Sequence, residues 1–356
     1  MIQLAASAQR LHVPVRPVTR PSGVAVLLNA RAKAVNASVL ETLGFIVPRE
    51  DLFLSHSEAE AAEIADWVVA RRYQTVFTGG GDGTFVSWVN RVLDAAERRH
   101  QRAPRFGVLA LGTGNAVAKL VGATPHRHAS DLSRFLAGEF PGFRLVDLVS
   151  CEGRRTPFAG VGIDAAILND YNWLKHQLAR TPLRGLGLGA AGYGLAVALR
   201  TAPRKLLERT PGYCEIVNTG RQAWRLDGQG RRVGPSIAPG ELLYAGPCML
   251  AGASTVPFYG MGLRLFPHAG KVPGLMQLRV ASDPKISTLL MNIHRIWAGE
   301  FSHEKIHDFH VDHVTLRFDR PVPLQIGGDV EGFREEVSFG MANSPIELVD
   351  FRAAAS

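Results

Sequence analysis

Cysteine is scarce in this chain of 356 residues, which has only Cys151, Cys214 and Cys248. The three are far apart and odd in number, so neither a disulfide framework nor a zinc-binding spacing is present. This usage fits a reducing compartment, and we expect a cytoplasmic protein. The first 21 residues lack the continuous apolar segment of a secretory signal, and we predict that they form a flexible tail.

Long apolar runs are also missing. Residues 183–199 are the most apolar stretch, but they contain Arg184 and five glycines. This stretch is shorter than the roughly 20 residues that a bilayer span needs. We therefore predict a buried or interfacial segment. The basic residues that follow it suit an anionic membrane surface, on which the protein would dock without crossing it, or they form a solvated helix face. These basic residues are Arg200, Arg204, Lys205 and Arg209.

The formal charge of +8 favours anionic partners without choosing among them. The sequence has no helix-turn-helix pattern and no interleaving of aromatic with basic residues, so we expect no nucleic-acid partner. We also predict no stable protein partner, although a homodimer is compatible with the sequence. With 46% hydrophobic and 20% charged residues, the composition is that of a globular protein.

Residues 22–146 alternate between apolar runs of strand length and segments of helical periodicity. This alternation predicts a parallel sheet with helices on both faces, whose ligands bind at the carboxyl ends of the strands. The predicted strands are Val24–Leu28, Asp51–Leu54, Thr75–Phe77 and Gly107–Leu111, and the predicted helices are Ser38–Leu43, Ser57–Arg72, Thr84–Arg99 and Ala116–Leu120.

Residues 147–337 have a different sequence pattern, in which short strand-like runs are separated by glycine and proline. They predict a second, mainly antiparallel β domain with one helical excursion near residues 170–207. Within it we expect strands at Gly262–Phe266, His313–Phe318 and Val322–Ile326. The Arg-, Gly- and Pro-rich segment Arg221–Gly240 predicts an exposed loop.

The densest motif is TGGGDGT at residues 78–84, between a predicted strand and a predicted helix. Glycines let a backbone approach phosphate closely, and a helix start offers free N–H groups to an anion. A carboxylate at Asp82 would repel phosphate unless it meets a metal ion or accepts a proton from an attacking hydroxyl. The motif lacks the Walker lysine and the GxGxxG spacing, which argues against P-loop NTPases and ordinary dehydrogenases.

A second glycine turn, LGTGN at residues 111–115, follows the next predicted strand. Thr113 and Asn115 can form hydrogen bonds with a base or a phosphate, and the flanking glycines make room for the ligand. Because the two turns follow adjacent strands, they predict a single nucleotide site.

GGGDGT, the following helix with Asn90, and LGTGNAVAKL together resemble the catalytic domain of the diacylglycerol kinase, sphingosine kinase and bacterial lipid kinase family. That family shares a superfamily with the NAD kinases. The resemblance implies an ATP-binding α/β domain, a β-sandwich domain behind it, and a return of residues 338–352 to the first domain. It also implies an ATP-dependent lipid kinase that transfers the γ-phosphate to a lipid hydroxyl.

Carried over by position, the resemblance implies that Asp82 lies near the reacting hydroxyl and that two glycine turns bind ATP. Asn29 matches the family's asparagine after the first strand, and Ser55 stands where a nucleotide-contacting threonine is usual. Asp147 matches a frequent aspartate at the domain junction. The implied ATP-binding residues are Asn29, Ser55, Gly79, Gly80, Gly81, Asp82, Gly83, Thr84, Gly112, Thr113, Gly114 and Asn115.

Two departures from the family pattern concern acids. The family's Asp-Gly-Glu is replaced by Gly327-Gly328-Asp329, so Asp329 is the expected second catalytic acid, and Glu331 could partly substitute. Pro273-Gly274 replaces an Asp-Gly pair tied to a structural magnesium, and Gln277 stands where another acid is common. We therefore expect no protein-held metal, with Mg²⁺ arriving together with ATP.

Two alternatives remain open at the sequence level. An NAD kinase-type phosphotransferase shares the Gly-Gly-Asp-Gly turn, but the usual Asn-Glu pair after the second glycine region is missing. A non-catalytic nucleotide- or lipid-binding member would explain the altered acids. Diacylglycerol, a sphingoid base, phosphatidylglycerol and an isoprenoid all remain candidate acceptors.

Overall fold

A computed structural model describes residues 23–32, 34–112, 115–163, 165, 212–259 and 262–352. The predicted tail, the apolar stretch 183–199 with its basic flank, and two residues of the second glycine turn, Thr113 and Gly114, lie outside the described residues. No helix in the described ranges is long and apolar enough to cross a membrane.

The first sheet has six strands in the order β2-β1-β3-β4-β18-β5. All neighbouring pairs are parallel except β18 with β5. The apolar run of β1 is buried along its length, as a strand covered on both faces requires. The strands are β1 Val24–Asn29, β2 Leu52–Ser55, β3 Thr75–Gly80, β4 Arg105–Ala110, β5 Gly142–Val146 and β18 Ile346–Asp350.

Five helices accompany this sheet in the described residues: α1 Ala37–Gly44, α2 Glu58–Ala70, α3 Asp82–Arg98, α4 Ala116–Leu120 and α5 His128–Leu136. Ser57 caps α2 as its position suggests, since its side chain accepts a hydrogen bond from the Glu60 N–H at 3.1 Å. β3 runs on to Gly80 and α3 already begins at Asp82, two residues earlier than predicted. Gly81 alone therefore separates strand from helix.

The second sheet links twelve strands, and every pair in it is antiparallel. Its long strand β16 pairs first with β9 and then with β8. The strands share one apolar core. They are β6 Val149–Cys151, β7 Arg154–Thr156, β8 Phe158–Gly162, β9 Gly212–Asn218, β10 Ala223–Leu226, β11 Arg232–Ile237, β12 Leu242–Cys248, β13 Leu250–Ser254, β14 Met276–Ala281, β15 Ile306–Val311, β16 His313–Ile326 and β17 Asp329–Met341.

Two local expectations for this region were wrong. Arg221–Gly240 is not a loop but contains the hairpin β10–β11, because Ala223 and Leu226 point into the core between exposed arginines. Gly262–Phe266 makes only an isolated bridge between Tyr259 and Leu263. The predicted strands at 313–318 and 322–326 are confirmed, and they join into one continuous strand, β16. Two short helices, α6 Ile286–Met291 and α7 Ile293–Ala298, precede β15.

The two sheets meet along α3. Asn90 on α3 binds the Arg155 backbone twice, donating to its carbonyl at 2.7 Å and accepting from its N–H at 2.8 Å. The Arg155 guanidinium pairs with Asp94 and Glu97, one and two turns further along the same helix. These contacts hold β7, and the β16–β17 turn beside it, against the helix that follows the glycine loop.

Candidate active site

Four strands end at one edge of the first sheet, at Asn29, Ser55, Gly80 and Ala110. Asn29 and Ser55 are direct neighbours in the β1–β2 register. The Asn29 side chain accepts from the Arg31 N–H at 2.9 Å, and the buried Ser55 hydroxyl donates to the Leu28 carbonyl at 3.3 Å. The structure thus brings both predicted residues to the expected edge, where they line one small pocket.

The glycine loop is packed too tightly for side chains. A Cβ on Gly79 would overlap the Leu28 side chain, and one on Gly80 would lie 2.5 Å from the Cβ of Thr84. The N-cap of α3 is Gly81, which has no side chain, and no other side chain in the described ranges caps this 17-residue helix. The first N–H groups of α3 are therefore free to bind an anion, and the helix dipole favours one there.

The second glycine turn lies directly on the first. A Cβ on Gly112 would overlap the Cα of Gly81 and lie 2.6 Å from its nitrogen. Asn115 closes this turn, since its side chain accepts from the Gly112 N–H at 3.1 Å and donates to the Gly112 carbonyl at 2.6 Å. Asn115 itself has the left-handed backbone that asparagine tolerates, with φ of 50°. The two turns thus form one backbone-lined surface.

Asp82 joins the two turns. Its carboxylate accepts hydrogen bonds from the Ala116 N–H at 3.0 Å and the Val117 N–H at 3.2 Å, the first two residues of α4. Burial raises the pKa of Asp82, and the two backbone donors partly offset this rise. This geometry lets Asp82 hold the two turns together, and its expected role at the reacting hydroxyl stays a prediction.

Asp329 reaches the same place from the second sheet. A Cβ on Gly83 would lie 3.0 Å from one carboxylate oxygen of Asp329, which places this acid against the first turn of α3. Its side chain is 54% exposed, so a ligand can approach it. Burial raises the pKa of Asp329; Arg154 lowers it and Glu331 raises it further. The structure therefore assembles the predicted acid with the predicted glycine loop.

Arg154 is a site residue that the sequence did not reveal. It lies 3.5 Å from Asp329 and forms a closer ion pair with Glu331. Arg91 on α3 is near enough for the charge of Arg154 to lower its pKa, in addition to the lowering by burial, and it pairs with Glu58. Nothing local in the turn before β7 marks Arg154, because only strand pairing in the second sheet carries it to the site.

The region of the family's structural magnesium holds other contacts. Asp147 accepts from the Gly274 N–H at 2.9 Å. The Gln277 amide donates to Asp308 at 2.7 Å and accepts from the His268 N–H at 2.7 Å, and Arg279 pairs with Asp308 at 2.7 Å. In the described ranges no three acidic, histidine or cysteine side chains converge on a metal position. A guanidinium beside Asp308 does not suit a bound cation.

Comparison with known proteins adds to this geometry. Residues 26–147 match the diacylglycerol kinase catalytic domain. This match and the fold confirm the resemblance inferred from the glycine turns, and they support a kinase-type phosphotransferase. The matched residues contain both turns and end at Asp147. No curated protein matches the chain.

Solved structures are similar over nearly the whole chain. A candidate diacylglycerol kinase from Bacillus anthracis strain Sterne has 14% identity and a TM-score of 0.63, covering 94% of this chain and 98% of its own. A second diacylglycerol kinase structure from that strain has 12% identity and a TM-score of 0.60, with the same coverage. At these identities the likeness shows the fold, with its α/β and antiparallel β parts.

An NAD kinase from Archaeoglobus fulgidus in complex with ATP is also similar, with 10% identity and a TM-score of 0.44. The alignment covers 92% of this chain and 94% of that one. This score is too low to support an inference about the present chain.

Proposed function

We propose that this protein transfers the γ-phosphate of ATP to the hydroxyl group of a lipid. One observation carries the proposal: a long helix with an uncapped, glycine-lined start meets an accessible carboxylate, Asp329, supplied by the other sheet. Phosphoryl transfer needs N–H groups that bind the phosphates and an acid–base group beside them. The contact between Gly83 and Asp329 brings the two together.

The phosphates of ATP fit the free N–H groups of α3, because the packed glycines leave only backbone at that surface. In this arrangement Asp329 accepts the proton of the attacking hydroxyl. Its raised pKa makes it a stronger base than an ordinary aspartate. Arg154 orients Asp329 and shares its charge with Glu331.

Asp82 has a structural part in this proposal. By accepting from the first N–H groups of α4, it fixes the second glycine turn against the first, so that both can contact one nucleotide. Mg²⁺ would arrive bound to the ATP phosphates and neutralise their charge. The described residues offer it no separate cluster of protein ligands.

The lipid nature of the acceptor rests on the match to the diacylglycerol kinase catalytic domain. The peripheral membrane association expected from residues 183–209 belongs to the same proposal. An NAD kinase-type acceptor is the second candidate.

The test uses purified protein, γ-labelled ATP, Mg²⁺ and a lipid extract, with products separated by thin-layer chromatography. We expect a labelled lipid with the native chain and about 10²–10⁴-fold less with Asp329→Asn. Glu331→Gln is the matched control, because it also removes a carboxylate partner of Arg154 but leaves Asp329 in place. Its labelled product should fall far less.

A parallel reaction contains NAD in place of lipid. Labelled NADP without labelled lipid would reassign the acceptor. Saturable ATP binding without either product would refute the kinase proposal and leave a nucleotide-binding protein. Equal losses in both variants would show that Arg154 and its acids only maintain the fold.

A further inference from the structure

A second cavity lies at the opposite end of the first sheet. It has a volume of about 520 Å³ and opens where β3 and β4 begin and where α2 and α3 end. Because β3 is six residues long, this end is roughly 17 Å from the glycine turns. Its polar lining consists of Arg72, Gln74, His100, Gln101, Arg102 and Arg105. The volume is typical of sites for small molecules.

Two of these lining residues, Arg72 and His100, occupy backbone positions that favour glycine. Arg72 has φ of 56° and His100 has φ of 50°. Each directly follows the C-cap of a helix, α2 or α3, and each donates its N–H to a carbonyl of the last turn, at 2.9 Å for Arg72 and 3.1 Å for His100. Glycine is the usual residue there because a Cβ makes the left-handed conformation costly.

This costly left-handed backbone occurs at two helix ends that face one cavity. The side chains of Arg72 and His100 therefore have a role there. Cations at helix C-termini do stabilise the helix dipole. That effect, however, needs only a basic side chain near the helix end, where Arg71 lies at the C-cap of α2 and Arg98 lies in the last turn of α3. It does not require Arg72 and His100 to adopt a strained backbone.

Positive charge exceeds negative charge around the cavity. Glu347 is shared by Arg105 at 3.0 Å and Arg102 at 3.4 Å, so one carboxylate serves two guanidinium groups. Asp66 is likewise shared by Arg98 and Arg99. Arg72 has no acidic partner within the described part of the chain.

We propose that this cavity binds a phosphate-bearing group. Guanidinium groups recognise phosphate through paired, charge-assisted hydrogen bonds, which a halide or a neutral ligand cannot form. A free phosphate compound and the headgroup of an acidic phospholipid share this chemistry.

The test compares the native chain with the double variant Arg72→Gly/His100→Gly. Glycine suits both backbone positions, so the double variant should melt no lower than the native chain while lacking the Arg72 guanidinium and the His100 imidazole. His126→Gly is the matched control, because His126 also has a left-handed backbone, with φ of 64°, but does not line the cavity.

Inorganic pyrophosphate is titrated by calorimetry with adenylyl imidodiphosphate in excess, so that the glycine turns are already occupied. Separately, each protein is sedimented with phosphatidylcholine vesicles that contain or lack phosphatidic acid. We expect that binding of pyrophosphate, of phosphatidic acid vesicles, or of both weakens about tenfold or more in the double variant. The same binding should be unchanged in His126→Gly.

Loss of pyrophosphate binding in the double variant would support a free phosphate ligand. Loss confined to phosphatidic acid vesicles would support a lipid headgroup. If neither probe binds the native chain, or if the double variant binds as well as the native chain, the proposal is wrong and the two side chains serve only the helix ends. None of these outcomes depends on whether the protein phosphorylates a lipid.

Discussion

Asp82→Asn separates a positioning role from a catalytic one. The carboxylate of Asp82 accepts from two backbone N–H groups of α4, at 3.0 Å and 3.2 Å. An asparagine of the same shape has one oxygen, so its NH₂ group would face one of these N–H donors. A buried donor left unsatisfied costs about 1–3 kcal/mol.

The net effect should lie near the middle of that range. Because burial raises the pKa of Asp82, the ionised carboxylate already carries a desolvation cost, which a neutral amide avoids. We take a loss of about 2 kcal/mol, which corresponds to a fall in Tm of roughly 4–8 °C. The second glycine turn should shift with α4, so ATP affinity should also fall.

The assay combines thermal denaturation with calorimetric titration of ATP. Asp131→Asn is the control, because Asp131 also holds a backbone N–H of the same domain, that of Thr124 at 2.8 Å, but away from the glycine turns. It should lower Tm and leave ATP affinity unchanged. Loss of turnover in Asp82→Asn with native Tm and native ATP affinity would refute this reasoning and place Asp82 at the reacting hydroxyl.

Three further predictions follow from packing and charge. Gly112→Ala forces a methyl group into the backbone of Gly81, so turnover should fall about 10²-fold at unchanged helix content, measured by kinetics and circular dichroism. Arg279→Met leaves the buried Asp308 carboxylate without its cation and should cost about 3–5 kcal/mol in urea unfolding, whereas a loss below 1 kcal/mol would contradict the buried pair. Burial lowers the pKa of His268 to about 4, so the unfolded chain binds a proton at a higher pH than the folded chain. Stability should therefore fall as the pH drops from 6.5 towards 4. In His268→Asn, the urea midpoint should depend less on pH.

Much of the first domain was predictable because its determinants are local. The apolar run of β1, the Ser57 cap and the helical spacing on α3 each involve residues within a few positions of one another. The predicted parallel sheet and its glycine turns follow from them. The hairpin β10–β11 was missed, because its arginines and glycines resemble a loop unless the burial of Ala223 and Leu226 is known.

The sequence by itself determined which residues are candidates for chemistry, since glycine turns after adjacent strands have few other uses. Only the tertiary structure shows where the acids lie. Asp82 turns to α4, 34 residues along the chain, and Asp329 arrives beside Gly83 through the β16–β17 turn. Strand register and the packing of the two sheets on α3 determine these positions, and neither produces a local sequence pattern. For the same reason, no sequence pattern marks Arg154 as a site residue or predicts that Arg72 and His100 line one cavity.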